Sequence, residues 1–569
     1  MTSIVQPTQT KISSMLQSAI GKHADRSAIQ TPEGVTSYNE FGCLVEEIVL
    51  QLQESTQQGE FIAIKAERNH YSIAALVAAI IANRPFIFLD SRDVSTQAKK
   101  VDLLGIRLIA EKHPSRERLR LSPFAQVSQE SNSIVIDTSR DARKIAYAIT
   151  TSGSTGEPKC VLVAADPLAH VVADHVEKLS IGPESRTLQF ARLTFDGAIT
   201  EILWTLVAGA CLVIRKEEDI APGYSLRKTL ETESITHLKT TPFALAATRP
   251  TEKMLLEHVI NGGGPCRPST VKSWSPFTSF HNAYGLTETT ICNFLSGALS
   301  SNDCELGVPL GEYVGAGGFE VSPLTPKEGS TRGELIITGD AVAIGYLTES
   351  GVDYFRNTED KPEFRTGDIV QFLDDRLVYV ERKDRQLKIR GFRIDPGEIE
   401  NTACQIDGVI ESIAIHEKEK DGIEDKLSLY FQGNADTRDV RSHLQQFLEE
   451  YKVPSSITSI PSIPYNGNGK VDKDAMSKMR RELASSVEQN SPCSDSNSSN
   501  AILGAVRNLT GVMDVVPEDN FFDLGGDSAS SLVLVSELRK LGWHEAGVRD
   551  VLRAPDLKTL IDKVDSPGD

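Results

Sequence analysis

The sequence predicts a large α/β region, then a smaller mixed α+β segment, then a tethered all-α bundle. Three observations carry that expectation. To about residue 380, short apolar runs (61–64, 134–136, 212–214, 335–337) alternate with helical patterns such as 71–82, as expected of buried strands joined by helices. Around 374–385 the chain turns strongly polar (DDRLVYVERKDR), and a smaller mixed segment continues to about 480. Residues 484–500 then hold seven Ser, three Asn and one Pro with almost nothing to bury, the composition of a flexible linker.

Each part follows in order. At 569 residues the chain exceeds what one core supports. The expected divisions are a core over 1–383, a smaller subdomain over 384–482, a linker over 483–500 and a small helical domain over 501–569. The last rests on helical spacing of Ile502, Leu503, Val506 and Leu509, then Leu532, Val535 and Leu538.

Composition narrows the partners. The formal charge of -19 argues against nucleic acid, because phosphate backbones are held mainly by excess Lys and Arg. Eight scattered cysteines show no CxxC pair, which predicts neither a zinc site nor a disulfide framework but reduced thiols. The apolar stretch 73–81 is interrupted at once by Asn83, Arg84 and Pro85, too short to span a bilayer. The first residues lack an apolar signal core. A cytoplasmic protein without membrane attachment is expected.

The chemistry begins at Thr151-Ser152-Gly153-Ser154-Thr155-Gly156-Glu-Pro-Lys159, after an apolar run. Hydroxyls and two glycines make a loop able to wrap phosphate, and Lys159 adds charge. It is not a Walker A loop, because Lys159 comes three residues after the second glycine rather than one. A polar turn between strands is the plain alternative for this loop alone. Further segments follow: Phe195-Asp-Gly-Ala-Ile-Thr-Glu201, Asn282-Ala-Tyr-Gly-Leu-Thr-Glu288, Gly333-Glu-Leu and Gly339 to Tyr346, Phe364-Arg-Thr-Gly-Asp368, Glu381 to Gly391, and Pro464-Tyr-Asn-Gly-Asn-Gly-Lys470.

Together, in this order and over essentially the whole chain, these segments resemble the adenylate-forming superfamily (acyl-CoA synthetases, luciferases and the adenylation domains of nonribosomal peptide synthetases), and the tail described below points to the last of these. The resemblance implies ATP and Mg²⁺ as requirements. It implies that Asn282 meets the adenine edge and Tyr284 its face, with the Gly262–Gly264 run, Gly263 included, letting backbone approach the nucleotide. Thr287 would touch the α-phosphate and Glu288 would help hold Mg²⁺. Asp368 would accept the ribose hydroxyls, with Arg382 nearby. Lys470 resembles the lysine that bridges the attacking carboxylate and the phosphate, two anions whose repulsion forms the barrier. Asp384 resembles the hinge about which the smaller domain rotates, exchanging the Lys470 loop for the Lys388 face.

The tail segment Asp519-Asn-Phe-Phe-Asp-Leu-Gly-Gly-Asp-Ser528 resembles a carrier-protein signature, with Ser528 the attachment site of 4'-phosphopantetheine. Asp527 or Ser528 could also cap the helix that follows, and the two roles are compatible. From Ala501 onward there are 12 Asp/Glu against 7 Lys/Arg, a net of -5, which suits docking to basic surfaces.

Asp196 matches the family position that pairs with an α-ammonium, because a buried carboxylate without a cation is costly. The resemblance carries over Gly197, Thr200, Lys239, Ile260, Gly262, Ala283, Ile291 and Cys292 as the remaining pocket. A lysine in a small neutral pocket should attract an acceptor or anionic side chain, so aspartate or asparagine is the expected substrate type. The alternative is a Lys239 turned out to solvent. The segment after the phosphate loop and Leu286, where proline is frequent, depart from the family pattern.

The expected activity is therefore amino-acid adenylation followed by thioester transfer to Ser528. Expected partners are the amino acid, a phosphopantetheinyl transferase and enzymes that act in trans on the thioester. An acyl-CoA ligase with a fortuitous tail and a catalytically inactive carrier scaffold are the alternatives. Asp196 and the Ser528 segment speak against the first, and Lys159, Glu288, Asp368 and Lys470 together against the second.

Overall fold

The computed structural model describes residues 10–90, 101, 103–113, 118–123, 141–151, 159–324, 331–383, 387–389, 392–418, 425–464, 476, 479, 497–510, 515–521, 524, 526, 531, 534–535, 538–539, 541, 543 and 546–565. The chain divides into two compact units, with the change between Arg393 and Ile394.

In the first unit, β1 (Ile62–Lys65) leads to α1 (His70–Ile81). The Asn69 side chain caps α1 by accepting the Ser72 amide at 2.9 Å, and ten consecutive residues from Tyr71 to Ile80 are buried. A helix apolar on every face belongs inside. The strands β2 (Ile145–Thr151) and β3 (Lys159–Ala164) pair antiparallel within an eight-stranded sheet that also holds β1. After α2 (Ala165–Lys178) come β4 (Arg186–Leu188) and α3 (Asp196–Val207), then β5 (His237–Thr240), β6 (His258–Asn261) and β7 (Ser279–Tyr284). From β4 to β7 the neighbours run parallel inside a nine-stranded sheet. The strands β8 (Arg332–Thr338), β10 (Glu363–Leu373) and β11 (Arg376–Arg382) belong to a four-stranded antiparallel sheet, while β9 (Gly345–Thr348) joins the eight-stranded one. The apolar runs at 61–64, 212–214 and 335–337 thus fall on strands and 71–82 on a helix. The run 134–136 lies outside the described residues.

Helix α3 is the pivot of this unit. Residues 198–206 are all buried, and each large apolar side chain so buried contributes about 1.5–3 kcal/mol. Asp196 opens the helix, where a carboxylate complements the positive end of the helix dipole.

The second unit carries α4 (Pro396–Ala403), β12 (Val409–Lys418), β13 (Asp425–Gly433), α5 (Thr437–Phe447) and β14 (Ser456–Ile460). Its three strands form one sheet, antiparallel between β12 and β13 and parallel between β13 and β14. Lys452 is buried there and pairs with Glu398 at 2.8 Å and Glu449 at 2.6 Å. Further along lie α6 (Asn497–Thr510), α7 (Val548–Arg553) and α8 (Leu557–Asp565). Their shared core of Ile502, Val506, Val551 and Leu560 also takes in Leu534 and Leu538 from the chain between α6 and α7.

Two boundaries differ from the sequence reading. Helix α6 begins at Asn497, inside the stretch assigned to linker, because Ser and Asn are tolerated in a first helical turn. The change of unit falls at Arg393 rather than at 383, because the Phe392 ring packs edge-on against Phe195, centroids 5.0 Å apart. Among the described residues no helix is long and apolar enough to cross a membrane.

Candidate functional site

The carboxyl ends of parallel strands are where open α/β sheets present ligands. Here β5, β6 and β7 end at Thr240, Asn261 and Tyr284. Lys239 is the register partner of Ile260, and Asn261 that of Asn282. Gly263 follows β6 with φ of 78°, a left-handed backbone that glycine adopts without strain.

After β7 the chain folds back on itself. A Cβ on Gly285 would lie 2.2 Å from the Ile291 carbonyl oxygen, so only glycine fits. Thr290 and Ile291 have φ of 59° and 72°, unusual for β-branched residues and costing about 1–3 kcal/mol each. Hydrogen bonds from the Ile291 amide to Leu286 O (3.1 Å) and from the Asn293 amide to Tyr284 O (2.8 Å) hold the bend. One segment, 282–292, thereby supplies side chains to two adjoining patches.

The first patch centres on Asp368, which is 1% exposed. Its Oδ2 accepts the Tyr284 hydroxyl at 2.5 Å, and its Oδ1 accepts the Arg382 guanidinium at 2.9 Å. Burial, reinforced by the Asp368 charge, pushes the Tyr284 hydroxyl well above the usual phenol range, so it stays a donor. Asn282 is buried, with its Nδ2 donating to Pro309 O at 3.0 Å and its Oδ1 accepting from Asn261 at 3.0 Å. Glu288 is fully buried, and its Oε1 accepts the Tyr346 hydroxyl at 2.7 Å.

The second patch centres on Asp196 and Lys239. The Thr287 side chain and the Gly197 amide hydrogen-bond the Asp196 carboxylate. Its Oδ2 is buried with no hydrogen-bond partner among the described residues. Burial pushes this carboxyl upward; Thr287 and the Lys239 charge oppose the shift, whereas Glu288 adds to it. Lys239 is 9% exposed, so it does not turn out to solvent. Its Nζ donates to Thr200 Oγ1 at 2.7 Å and lies 5.5 Å from the Trp204 ring centre. The lysine stem passes between two glycines. A Cβ on Gly262 would meet Lys239 Cε at 3.4 Å, and one on Gly197 would meet Nζ at 4.0 Å. Ile260, Ala283, Ile291 and Cys292 belong to the same buried cluster. Burial pushes the Cys292 thiol up to about 11, which leaves it a neutral wall.

Three neighbours were given no role from sequence, although Glu201 and Tyr346 close two of the segments quoted above. Glu201, 1% exposed, is pushed up to about 7 by burial, opposed first by Lys239. His175 stacks on Trp204 with centroids 5.3 Å apart, and burial together with the Lys239 charge lowers it to about 3, so it is neutral. Tyr346 holds Glu288. The signal for Glu201 was present: it is the one charged side chain in the run 197–207.

The remaining candidates are reached less fully. Thr151 and Lys159 are register partners at the facing ends of β2 and β3, whereas Ser152, Gly153, Ser154, Thr155 and Gly156 between them lie outside the described residues. Lys388 belongs to the short strand Leu387–Ile389. Asp384, Lys470 and Ser528 also lie outside the described residues.

Comparison with known proteins adds the following. Residues 16–347 match the AMP-binding enzyme family, and residues 500–564 match the phosphopantetheine attachment site family. Bacitracin synthase 3 of Bacillus licheniformis is 28% identical over 577 residues, covering 97% of this chain and 9% of that protein. Novobiocin biosynthesis protein H of Streptomyces niveus is 27% identical over 573 residues, covering 94% of this chain and 93% of that protein. The chain thus spans a small part of the large synthases it resembles, 9% for bacitracin synthase 3 and 11% for chondramide synthase of Chondromyces crocatus. Among solved structures, holo-PA1221, described as a nonribosomal peptide synthetase protein containing adenylation and PCP domains, superposes with a TM-score of 0.77. It is 20% identical and covers 98% of this chain and 96% of its own. The adenylation domain AlmE of Vibrio cholerae, solved with glycyl-adenosine-5'-phosphate, gives a TM-score of 0.71 at 18% identity, covering 84% of this chain and 99% of its own. At these identities the two structures speak to the fold.

Proposed function

This chain belongs to the AMP-binding enzyme family, joined to a phosphopantetheine attachment module as in nonribosomal peptide synthetases, and we propose that it activates an amino acid with ATP. The product is an aminoacyl-adenylate, which the chain then transfers as a thioester to a phosphopantetheine arm on Ser528. The observation that carries this reading is the buried, unpartnered Oδ2 of Asp196. An exposed acid would be satisfied by water; a buried one calls for a cation, and the α-ammonium of an amino acid is a cation that such a site accepts. In this reading the core up to about Arg393 makes the adenylate, a mobile subdomain to about 482 follows, and a linker leads to a carrier whose first helix starts at Asn497.

The roles divide between the two patches. Tyr284 offers its ring to adenine, and Asn282 meets the base edge. Asp368, already held by Arg382, accepts the ribose hydroxyls. The phosphate loop from Thr151 to Gly156 and Lys159 cradles phosphate, with Gly263 giving close backbone approach. Thr287 lies between the patches, where it can touch the α-phosphate while it steadies Asp196. The buried carboxylate of Glu288 fits a hard cation, so this residue would hold Mg²⁺, which supplies charge neutralisation at the phosphates. Lys470 brings the cation that adenylation needs. Asp384 acts as the hinge that exchanges Lys470 for Lys388 before thioester transfer. A phosphopantetheinyl transferase primes Ser528, and enzymes acting on the thioester collect the product. The scattered cysteines support a cytosolic site of action.

Lys239 supports a substrate of the aspartate or asparagine type. Of its three N–H groups, the Thr200 hydroxyl takes one. The rest serve an acceptor side chain in a pocket otherwise walled by Gly197, Ile260, Gly262, Ala283, Ile291 and Cys292. Replacing Lys239 by methionine should lower kcat/KM for the preferred polar amino acid by roughly 10- to 100-fold, the worth of a charge-assisted hydrogen bond. Preference should move toward apolar amino acids. An unchanged preference order in an amino-acid panel would remove Lys239 from the pocket.

The direct test supplies ATP with single amino acids and measures released pyrophosphate. Release with one or a few of them is expected, and release with none would end this reading. The Lys470→Ala variant separates the half-reactions. Adenylation should fall by about 10²- to 10³-fold, the scale of losing one transition-state charge partner. Thioester formation from supplied adenylate should stay within a few-fold. Equal loss in both half-reactions would contradict its role.

A further inference from the structure

We propose that Glu201 is a positioning residue for amino-acid recognition, fixing the loop from Gln189 to Phe195 that delivers Asp196 to the pocket. The proposal rests on the amino-acid-activating reading and adds a residue to it.

Strand β4 ends at Leu188 and α3 begins at Asp196, so the orientation of Asp196 depends on the seven residues between. That loop is gripped from two sides. From inside, the Glu201 carboxylate accepts the Phe190 amide at 3.0 Å and the Ala191 amide at 3.1 Å, and lies 3.4 Å from the Gln189 side-chain nitrogen. From the other side, Arg68 donates to Gln189 O at 2.8 Å, Gln189 Oε1 at 2.7 Å and Phe190 O at 2.6 Å, and pairs with Glu217 at 2.8 Å. Gln189, itself fully buried, is the link, since it touches both Arg68 and Glu201.

A buried carboxylate costs free energy that an apolar residue would not. Glu201 sits in a helix otherwise packed with apolar and hydroxyl side chains, where leucine would serve packing better. Its oxygens are used almost wholly on the loop. It lies one helical turn and a half from Asp196 on the same element, so helix and loop are tied into one rigid piece at the point where Asp196 emerges. The charged groups facing it are Lys239 from β5 and Arg68 from the segment before α1. Lys239 also belongs to the pocket, and its charge favours the ionised form of Glu201.

The Glu201→Gln variant keeps the shape but presents an amide in place of one acceptor oxygen. The KM for the amino acid should rise about tenfold or more, while the KM for ATP stays within twofold. A merely structural defect would weaken both together. Arg68→Gln, which loosens the same loop without entering α3, should give the same selective signature. The double variant should lose less than the product of the two effects, because both act through Gln189. Hydrogen exchange provides a readout independent of turnover. Amides of Phe190 and Ala191 should exchange about tenfold faster or more in Glu201→Gln, with residues 202–207 of α3 unchanged. Unchanged protection at those two amides would overturn the proposal even if the wild type activated no amino acid. An amino-acid KM unmoved by the substitution would overturn it while leaving adenylation intact.

Discussion

Ser528→Ala should abolish covalent loading of the chain with amino acid and leave ATP–pyrophosphate exchange at the wild-type rate. On the proposed reading the two steps separate because adenylation would use the buried patches around Asp368 and Asp196, whereas the thioester would need an arm on the Ser528 hydroxyl. Alanine has no hydroxyl to carry the phosphodiester, so the loss is complete rather than graded. Intact-protein mass spectrometry after treatment with a phosphopantetheinyl transferase and coenzyme A reads this directly. The wild type should gain the arm, then the amino acid when ATP is added, and the variant should gain neither. Equal labelling of both proteins would move the attachment site away from Ser528.

Asp196→Asn carries the other large effect. The Asp196 carboxylate holds the Thr287 side chain and the Gly197 amide, and an asparagine retains most of that geometry. It removes the charge. An ammonium brought into this buried site without its counter-ion loses about 3–5 kcal/mol, and kcat/KM for the amino acid should fall by roughly 10²- to 10⁴-fold. Tyr284, Asp368 and Arg382 keep their mutual bonds, and asparagine can still bond Thr287, so ATP affinity should hold. A loss of less than threefold would show that the α-ammonium binds elsewhere.

Much of this organisation is legible in the sequence because the motifs are local. Asn282, Tyr284, Thr287 and Glu288 lie within one short segment, and the glycine at 285 announces its bend. The pocket set of Asp196, Thr200 and Lys239 was legible through resemblance; in the structure Lys239 bonds Thr200, and its charge acts on Asp196. Long-range pairings were not legible. Tyr284 and Asp368 were each assigned to the nucleotide, yet nothing in the spacing foretells that their side chains bond directly across 84 residues. Glu201 was passed over for a related reason. Its partners are backbone amides of a loop, and backbone groups carry no side-chain signature. The end of the first unit also escaped, because the stretch 374–385 is polar enough to read as a boundary, while the Phe392–Phe195 contact extends that unit to Arg393.

The protonation picture bears on how the pocket selects. His175 is held neutral and Cys292 protonated near pH 7, so neither competes with Lys239 for an acidic side chain or with Asp196 for an ammonium. Among the described residues, the charges acting on Asp196 are those of Lys239 and Glu288. Buried charges act strongly because little water screens them.

The most direct measurement compares exchange of pyrophosphate driven by aspartate, or whichever amino acid is preferred, with exchange driven by the same acid lacking its α-amino group. Both present the attacking carboxylate and the same side chain, and they differ only in the cation that the buried Oδ2 of Asp196 would receive. A preference for the amino acid of at least about 10²-fold is expected, on the scale of an unpaired buried charge. Equal rates with both acids would contradict it.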